Sequence, residues 1–156
     1  QSKPKITLVV TSFLPEINSS VILTNEVVES CMDRLGLSSA FDIAREDQMN
    51  RKEAIDKAKG MKSGYLLYME LDLDTADRDL AGIGPQDYSN LYVWYMLYEA
   101  QTGKIKTQGH VYQRPAYNGV PVPTTQGNIE YPLQQAGRET ADRIMQAVGV
   151  ALPPGH

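Results

Sequence analysis

The order of apolar and polar segments predicts an α/β (α+β) fold, in which a mixed, mainly antiparallel five-stranded sheet packs with helices. The chain has 156 residues, which is the length of one domain. Its elements follow the order β-α-β-α-β-β-β-α, and no internal repeat or linker divides them. We therefore assign residues 1–156 to a single domain, with a core over about residues 5–148.

The first half of the chain alternates strands and helices. Lys5–Phe13 is β-branched and almost continuously apolar, which predicts a central strand buried on both faces. Apolar residues at helical spacing predict a helix over Ser20–Leu35, with Gly36 at its C-cap position. Phe41–Ala44 is predicted to be a short strand. Good helix formers in Arg45–Gly60 predict a mostly exposed helix.

The second half begins with three strands. Residues 65–74 alternate between apolar and mixed side chains, which predicts a long half-buried strand. Leu91–Ala100 and Lys104–Gln113 alternate in the same way around a short loop that contains Gly103. A glycine in so short a loop is typical of a hairpin, so these two segments are predicted to pair antiparallel.

Two long loops and a final helix complete the predicted domain. Proline and glycine without any period predict a loop over Pro115–Pro132, and a second loop is predicted over residues 76–89. Helical spacing returns in Leu133–Val148. We expect this helix and the helix over Ser20–Leu35 to cover the apolar face of the sheet.

Composition and charge exclude two classes of function. Lys and Arg number 15 against 19 Asp and Glu, giving a net charge of -4, whereas nucleic-acid binding needs a basic surface. The longest apolar runs, Ile6–Val10 and Tyr65–Met69, are far shorter than the roughly 20 residues of a membrane helix. The sequence therefore predicts no nucleic-acid partner and no transmembrane segment.

Residues suited to catalysis are scarce. The chain has two His and one Cys, and no glycine-x-serine-x-glycine motif marks a nucleophile. Gly82-Ile83-Gly84 lacks the flanking strand and helix of a dinucleotide-binding turn, and there is no phosphate-binding loop. Glu70 with Asp72 could serve acid–base hydrolysis, but adjacent carboxylates on a strand are more often solubilising. We predict a protein that is not an enzyme and has no cofactor.

An acidic run resembles a calcium site only superficially. Glu70, Asp72, Asp74, Asp77 and Asp79 offer carboxylate oxygens, which Ca²⁺ prefers. The run departs from the calcium-loop pattern, because Ala76 stands at a ligand position and Asp77 at the position of the turn glycine. We predict no metal site.

Five local motifs occur in an order that is similar to that of a known superfamily. They are the strand Ile6–Phe13, the helix end Arg34-Leu35-Gly36, the strand Phe41–Ala44 running into Arg45-Glu46-Asp47, the strand entry Lys62–Leu67, and the hairpin Leu97–Ile105. In this order they resemble the bacterial envelope superfamily of the TolB N-terminal domain, the curli secretion lipoprotein CsgG and LpoB, the lipoprotein activator of a penicillin-binding protein. The loops over 76–89 and 115–132 look long for that superfamily.

The resemblance implies a function and a location. Members of this superfamily act as binding and assembly modules without catalytic residues. It therefore implies an exported protein with a periplasmic or outer-envelope location, and it leaves open whether a signal peptide or lipid anchor precedes residue 1. It also implies an envelope protein as partner, and peptidoglycan or another glycan is the second partner class.

Aromatic residues of the hairpin form the predicted binding site. Nine of the 12 aromatic residues are Tyr, and six of those nine lie in the three antiparallel strands. If Ala100 pairs with Lys104, Trp94 lies opposite His110 and Tyr92 opposite Tyr112. Tyr and Trp are enriched where partners dock. The predicted binding residues are Tyr92, Trp94, Tyr98, Tyr112 and His110, with Tyr68 and Lys106 at the rim.

Two alternatives to a protein-binding face remain open. The loop over Pro115–Pro132 could simply fold over the aromatic residues and cover them. A pocket between this face and the same loop could instead bind a small ligand or glycan, with aromatic rings stacked on sugars.

Overall fold

A computed structural model of the chain describes residues 4–13, 21–73, 91–112, 116–117, 120–121 and 130–154. Its elements are, in chain order, β1 (Ile6–Phe13), α1 (Val21–Gly36), β2 (Phe41–Arg45), α2 (Arg51–Lys59), β3 (Tyr65–Leu73), β4 (Leu91–Glu99), β5 (Ile105–Tyr112), β6 (Ala116–Tyr117), β7 (Val120–Pro121) and α3 (Glu130–Ala147).

The main sheet has five strands in the order β2-β1-β3-β4-β5. β1 pairs parallel with both β2 and β3, and β4 pairs antiparallel with both β3 and β5. The predicted fold class, a mixed five-stranded sheet with helices, is confirmed. The two-stranded sheet of β6 and β7 was not predicted.

The first face of the sheet is the apolar face predicted from the sequence, and α1 and α3 cover it. Its buried core includes Leu8, Val10, Val28, Cys31, Leu67, Leu97, Leu133 and Ile144. The two helices lie very close together, since a Cβ added at Gly137 would be 2.5 Å from the Val27 carbonyl oxygen. An ion pair of 2.9 Å between Arg34 and Asp142 also joins them.

The second face, on the opposite side of the sheet, is covered in part by α2. Ala54 and Ala58 lie one helical turn apart and are fully buried, so this nine-residue charged helix rests on the sheet. Beneath it lies a second core of Val9, Leu66, Tyr68, Met96 and Tyr98. β3 is buried on both faces over residues 66–71, and the prediction of a half-buried strand is wrong there.

The charged helix starts later than predicted, at Arg51 instead of Arg45. The Asn50 side chain accepts a hydrogen bond of 2.8 Å from the Glu53 N–H, and the Glu53 carboxylate accepts one of 2.9 Å from the Asn50 N–H. This capping box marks the start of the helix. The preceding residues 46–49 instead run along β1, held by backbone hydrogen bonds of 2.9 and 3.1 Å.

The last helix starts earlier than predicted, at Glu130 instead of Leu133. Pro132 lies in its first turn, where the backbone N–H has no partner within the helix and its loss costs nothing. The predicted loops over 76–89 and 115–132 lie largely outside the described residues, apart from β6, β7 and the start of α3.

Candidate functional site

The aromatic residues of β4 and β5 pair as the sequence predicts. Trp94 lies opposite His110, and Tyr92 lies opposite Tyr112. Because side chains two residues apart share a face, all four rings lie on the second face of the sheet.

A β-bulge separates these pairs from the hairpin loop. The predicted pairing of Ala100 with Lys104 is wrong, because the register shifts by one residue at Tyr98, which lies opposite Ile105. Lys106 is the extra residue on β5 and is exposed. The shift also places Ile105 opposite Tyr98 on the second face, where 46% of it is exposed.

Trp94, His110, Tyr92 and Tyr112 form a continuous run of rings, here named the aromatic cluster. The Trp94 and His110 rings stack with centroids 6.1 Å apart and an interplanar angle of 13°. The Tyr92 ring lies 5.1 Å from both the His110 and the Tyr112 rings. His110 is exposed and Tyr112 is 37% exposed, while Trp94 and Tyr92 are half-buried. The cluster therefore presents ring surface at the β5 edge.

The edge of the sheet beside the cluster is tied to α3. Arg143 donates a hydrogen bond of 3.0 Å to the His110 carbonyl oxygen and forms an ion pair of 2.7 Å with Glu139. One backbone acceptor of the edge strand is thus occupied, and the exposed Lys104 and Lys106 place charge along β5. Both features disfavour pairing with an added strand. A partner would instead contact side chains.

Arg51 of α2 joins this helix to the aromatic cluster. Its guanidinium carbon lies 4.0 Å from the centroid of the Trp94 ring, within the range of a cation–π interaction. Trp94 therefore has Arg51 on its ring and His110 stacked beside it.

Tyr68 and Tyr98, two further predicted binding residues, are buried under α2. The Tyr68 hydroxyl donates to the Glu70 carboxylate at 2.5 Å, and the Tyr98 hydroxyl donates to the Met96 sulfur at 2.8 Å. Burial raises the pKa of both phenols, and the hydrogen bond to Glu70 raises that of Tyr68 further. While α2 is in place neither ring can contact a partner.

A cleft lies beside α2, at the end of β1 and next to the middle of β3. Its volume is about 620 Å³. The lining residues are Phe13, Asn50, Arg51, Lys52, Ile55, Asp56, Lys59, Tyr68 and Glu70. This is the size of a small-molecule site. The pocket predicted beneath the loop over 115–132 lies outside the described residues.

The sequence reasoning missed α2 as a cover for the second face. Two signals could have found it: the Asn50–Glu53 capping box, and the alanines at positions 54 and 58 of an otherwise charged helix. Arg51 was consequently not recognised as a neighbour of Trp94.

The described residues contain few groups for catalysis. They include no cluster of three or more His, Cys, Asp or Glu side chains that could hold a metal ion. Burial, with a smaller effect of Asp142, raises the pKa of the Cys31 thiol, which keeps it protonated and unreactive. Of the acidic run, only Glu70 and Asp72 fall within the described residues. In the same part of the chain, no helix is long and apolar enough to cross a bilayer.

Comparison with known proteins gives a likeness of fold. No protein-family model and no curated protein matches the sequence. The crystal structure of a DUF330 protein from Xanthomonas campestris matches 94% of this chain and 88% of that one, with 13% identity and a TM-score of 0.52. A neuraminyllactose-binding hemagglutinin homologue from Helicobacter pylori matches 94% of this chain and 84% of that one, with 8% identity and a TM-score of 0.46.

The chain therefore shares its fold with the Xanthomonas protein. At 13% identity the likeness concerns the fold alone. Membership of the superfamily of TolB, CsgG and LpoB remains a prediction from the sequence motifs.

Proposed function

We propose that this domain is a non-catalytic accessory module of the bacterial envelope, and that it binds another protein through the aromatic cluster. The envelope role and the periplasmic or outer-envelope location are supported by the sequence resemblance to TolB, CsgG and LpoB. The binding role is supported by the aromatic cluster itself.

The observation that carries this proposal is the run of four contacting rings at one end of the second face. Aromatic side chains bury a large area on binding while losing little rotamer freedom, and they are enriched among residues that dominate binding energy. The rings already contact one another at centroid distances of 5.1 to 6.1 Å, so their positions are set before a partner arrives. Pre-ordering of this kind lowers the entropic cost of association.

The test begins with affinity capture from a bacterial envelope fraction, followed by purification of the captured protein and measurement of its Kd. The variant His110→Ala/Tyr112→Ala removes two exposed rings that are not under α2. We expect its affinity to fall about 30-fold, the change for a loss of about 2 kcal/mol at an interface hot spot.

The matched control is Tyr131→Ala. Tyr131 is also an exposed aromatic residue, at 63%, but it lies on α3 and outside the aromatic cluster. The affinity of Tyr131→Ala for the captured protein should equal that of the unaltered protein. If the cluster variant binds as tightly as this control, the aromatic cluster is not the binding surface.

A further inference from the structure

The cleft beside α2 holds a buried carboxylate that forms no ion pair with a described Lys, Arg or His. Glu70 lines the cleft and is 8% exposed. One of its oxygens accepts the hydrogen bond from Tyr68, and no Lys, Arg or His of the described residues lies within ion-pair distance of the other. A buried charge is costly unless it is paired. This arrangement therefore favours a ligand that brings a cation to Glu70.

Arg51 is near Glu70 but does not supply that cation. Trp94 lies directly opposite Glu70 across the β3–β4 pairing, and the Arg51 guanidinium rests on the Trp94 ring. The guanidinium thus forms a wall of the cleft next to the carboxylate, and the carboxylate remains open to a second cation.

The rim of the cleft has the opposite charge. Lys52 and Lys59 are exposed on α2, and neither forms an ion pair with another described residue. They are two helical turns apart, about 10 Å along the rim. Asp56 lies between them and is also exposed, so the two lysines leave the rim with a net positive charge. A ligand with an anionic end would place that end here.

The wall between floor and rim is apolar. Phe13 and Ile55 line this part of the cleft, and both are half-buried. A short chain of methylene groups would bury its surface against them. Sugar rings fit less well, because they need an exposed aromatic face on which to stack. The Arg51 guanidinium already lies over the Trp94 ring, and the Tyr68 ring is buried.

We propose that this cleft binds a small zwitterion with a methylene chain, its protonated amine at Glu70 and its carboxylate toward Lys52 and Lys59. This site lies next to the aromatic cluster but is lined by none of its four residues, and it is independent of the proposed function. It would make the domain a sensor or carrier of an amino-acid-like ligand as well as a protein-binding module.

The test titrates the protein with 4-aminobutyrate and with 6-aminohexanoate. Binding is monitored by the fluorescence of Trp94, the single tryptophan of the chain. Butylammonium and hexanoate, each with one of the two charges, are the ligand controls at equal ionic strength. We expect saturable binding of at least one zwitterion, about tenfold tighter than either control, which is the gain from one additional charge-assisted contact.

Three variants separate the two ends of the ligand. Glu70→Gln should lower the affinity for the zwitterion and for butylammonium alike, by about tenfold or more. The double variant Lys52→Gln/Lys59→Gln should weaken binding of the zwitterion and leave the affinity for butylammonium unchanged. The exposed Lys62, which does not line the cleft, provides the control variant Lys62→Gln with unchanged binding.

The rim variants are on the surface, so their result stands even if Glu70→Gln fails to fold. The proposal is overturned if neither zwitterion saturates at tens of millimolar, or if hexanoate binds as tightly as the zwitterion. It is also overturned if folded Glu70→Gln or the rim variant binds the zwitterion like the unaltered protein.

Discussion

The two faces of the sheet are covered in different ways. On the first face, α1 and α3 lie side by side over an apolar core that includes residues of all five strands. On the second face, the short α2 rests on two alanines and covers only the middle of the sheet, next to a carboxylate, two buried phenols and the aromatic cluster. The first face is a structural core, whereas the second combines packing with groups capable of recognition.

The contrast shows how coverage determines the role of an aromatic residue. Tyr98 and Trp94 lie on the same strand and the same face, four residues apart. Tyr98 is under α2 and contributes to the core, and Trp94 lies at the boundary of α2, where Arg51 reaches it. A ring one pleat further along, Tyr92, belongs to the aromatic cluster. The end of α2 therefore divides one aromatic stripe into a core part and a recognition part.

The largest expected effect tests the close packing of the first face. In Gly137→Ala the new methyl carbon would be 2.5 Å from the Val27 carbonyl oxygen, so α1 and α3 must separate. We expect the free energy of unfolding to fall by about 3 kcal/mol, the upper part of the range for overpacked cores. Chemical denaturation followed by circular dichroism measures it.

Gly36→Ala is the matched control for this change. Gly36 is the last residue of α1, and an added Cβ there would have no atom within 4 Å. Its stability should change little. Similar losses in the two variants would mean that close approach at Gly137 is not what holds α1 against α3.

The sequence was sufficient for the first face and insufficient for the second. Alternation in β4 identifies Val93, Tyr95 and Leu97 as one buried set, because apolar side chains at a period of two can only be buried on one side of a strand. The same alternation cannot tell which polar or aromatic residues of the other set are covered. That depends on where α2 lies, which is a tertiary property.

Two local errors have different origins, one in tertiary hydrogen bonds and one in the conformation of a loop. Residues 46–50 have acceptable helix propensity, but backbone hydrogen bonds from Glu46 and Met49 hold this segment against β1, and Asn50 then caps α2. The bulge at Tyr98 depends on loop conformation, since both Gln101 and Gly103 have positive φ values of 73° and 68°. The Trp94–His110 pair was nevertheless predicted correctly, because the extra residue Lys106 compensates for the wrong loop pairing.

A second, smaller effect concerns pH and separates the two faces. Cys31 lies in the first core, and burial raises its pKa, whereas an unfolded thiol ionises near pH 8.5. The thiolate therefore forms only in the unfolded chain. The contribution of the protonated thiol to the free energy of unfolding is therefore fully present below about pH 8.5, and it is lost as the pH rises above that value. Tyr68 and Tyr98 on the second face also have raised pKa values, because they are buried. They lower the free energy of unfolding in the same way, but only above about pH 10, where an unfolded tyrosine ionises.

Comparison of the unaltered protein with Cys31→Ala isolates the thiol. Between pH 8.5 and 9.5 the unaltered protein should lose about 1 kcal/mol more unfolding free energy than the variant, because the unfolded thiol is only half ionised at pH 8.5 and the full slope of about 1.4 kcal/mol per pH unit is reached only at higher pH. Urea unfolding at each pH gives the difference. Parallel pH profiles for the two proteins would show that the thiol is not protected by the first core.

The smallest expected effect tests the boundary of α2 on the second face. In Arg51→Gln the cation–π contact with Trp94 is lost while a long polar side chain remains. We expect the unfolding free energy to fall by about 0.5–1 kcal/mol, together with a change in Trp94 fluorescence, because the charge over the ring is removed. The exposed Lys62 lies outside this contact, and Lys62→Gln should leave both unchanged.

The affinity of the Arg51→Gln variant for its protein partner then shows whether α2 supports the aromatic cluster. If Arg51 only anchors the helix, affinity should stay within about twofold, since the exposed His110 and Tyr112 rings keep their contacts with Tyr92. If it also holds the Trp94 ring in its stack with His110, affinity should fall along with stability. In that case the end of α2 would not divide core from recognition surface, and the two parts of the second face would act as one unit.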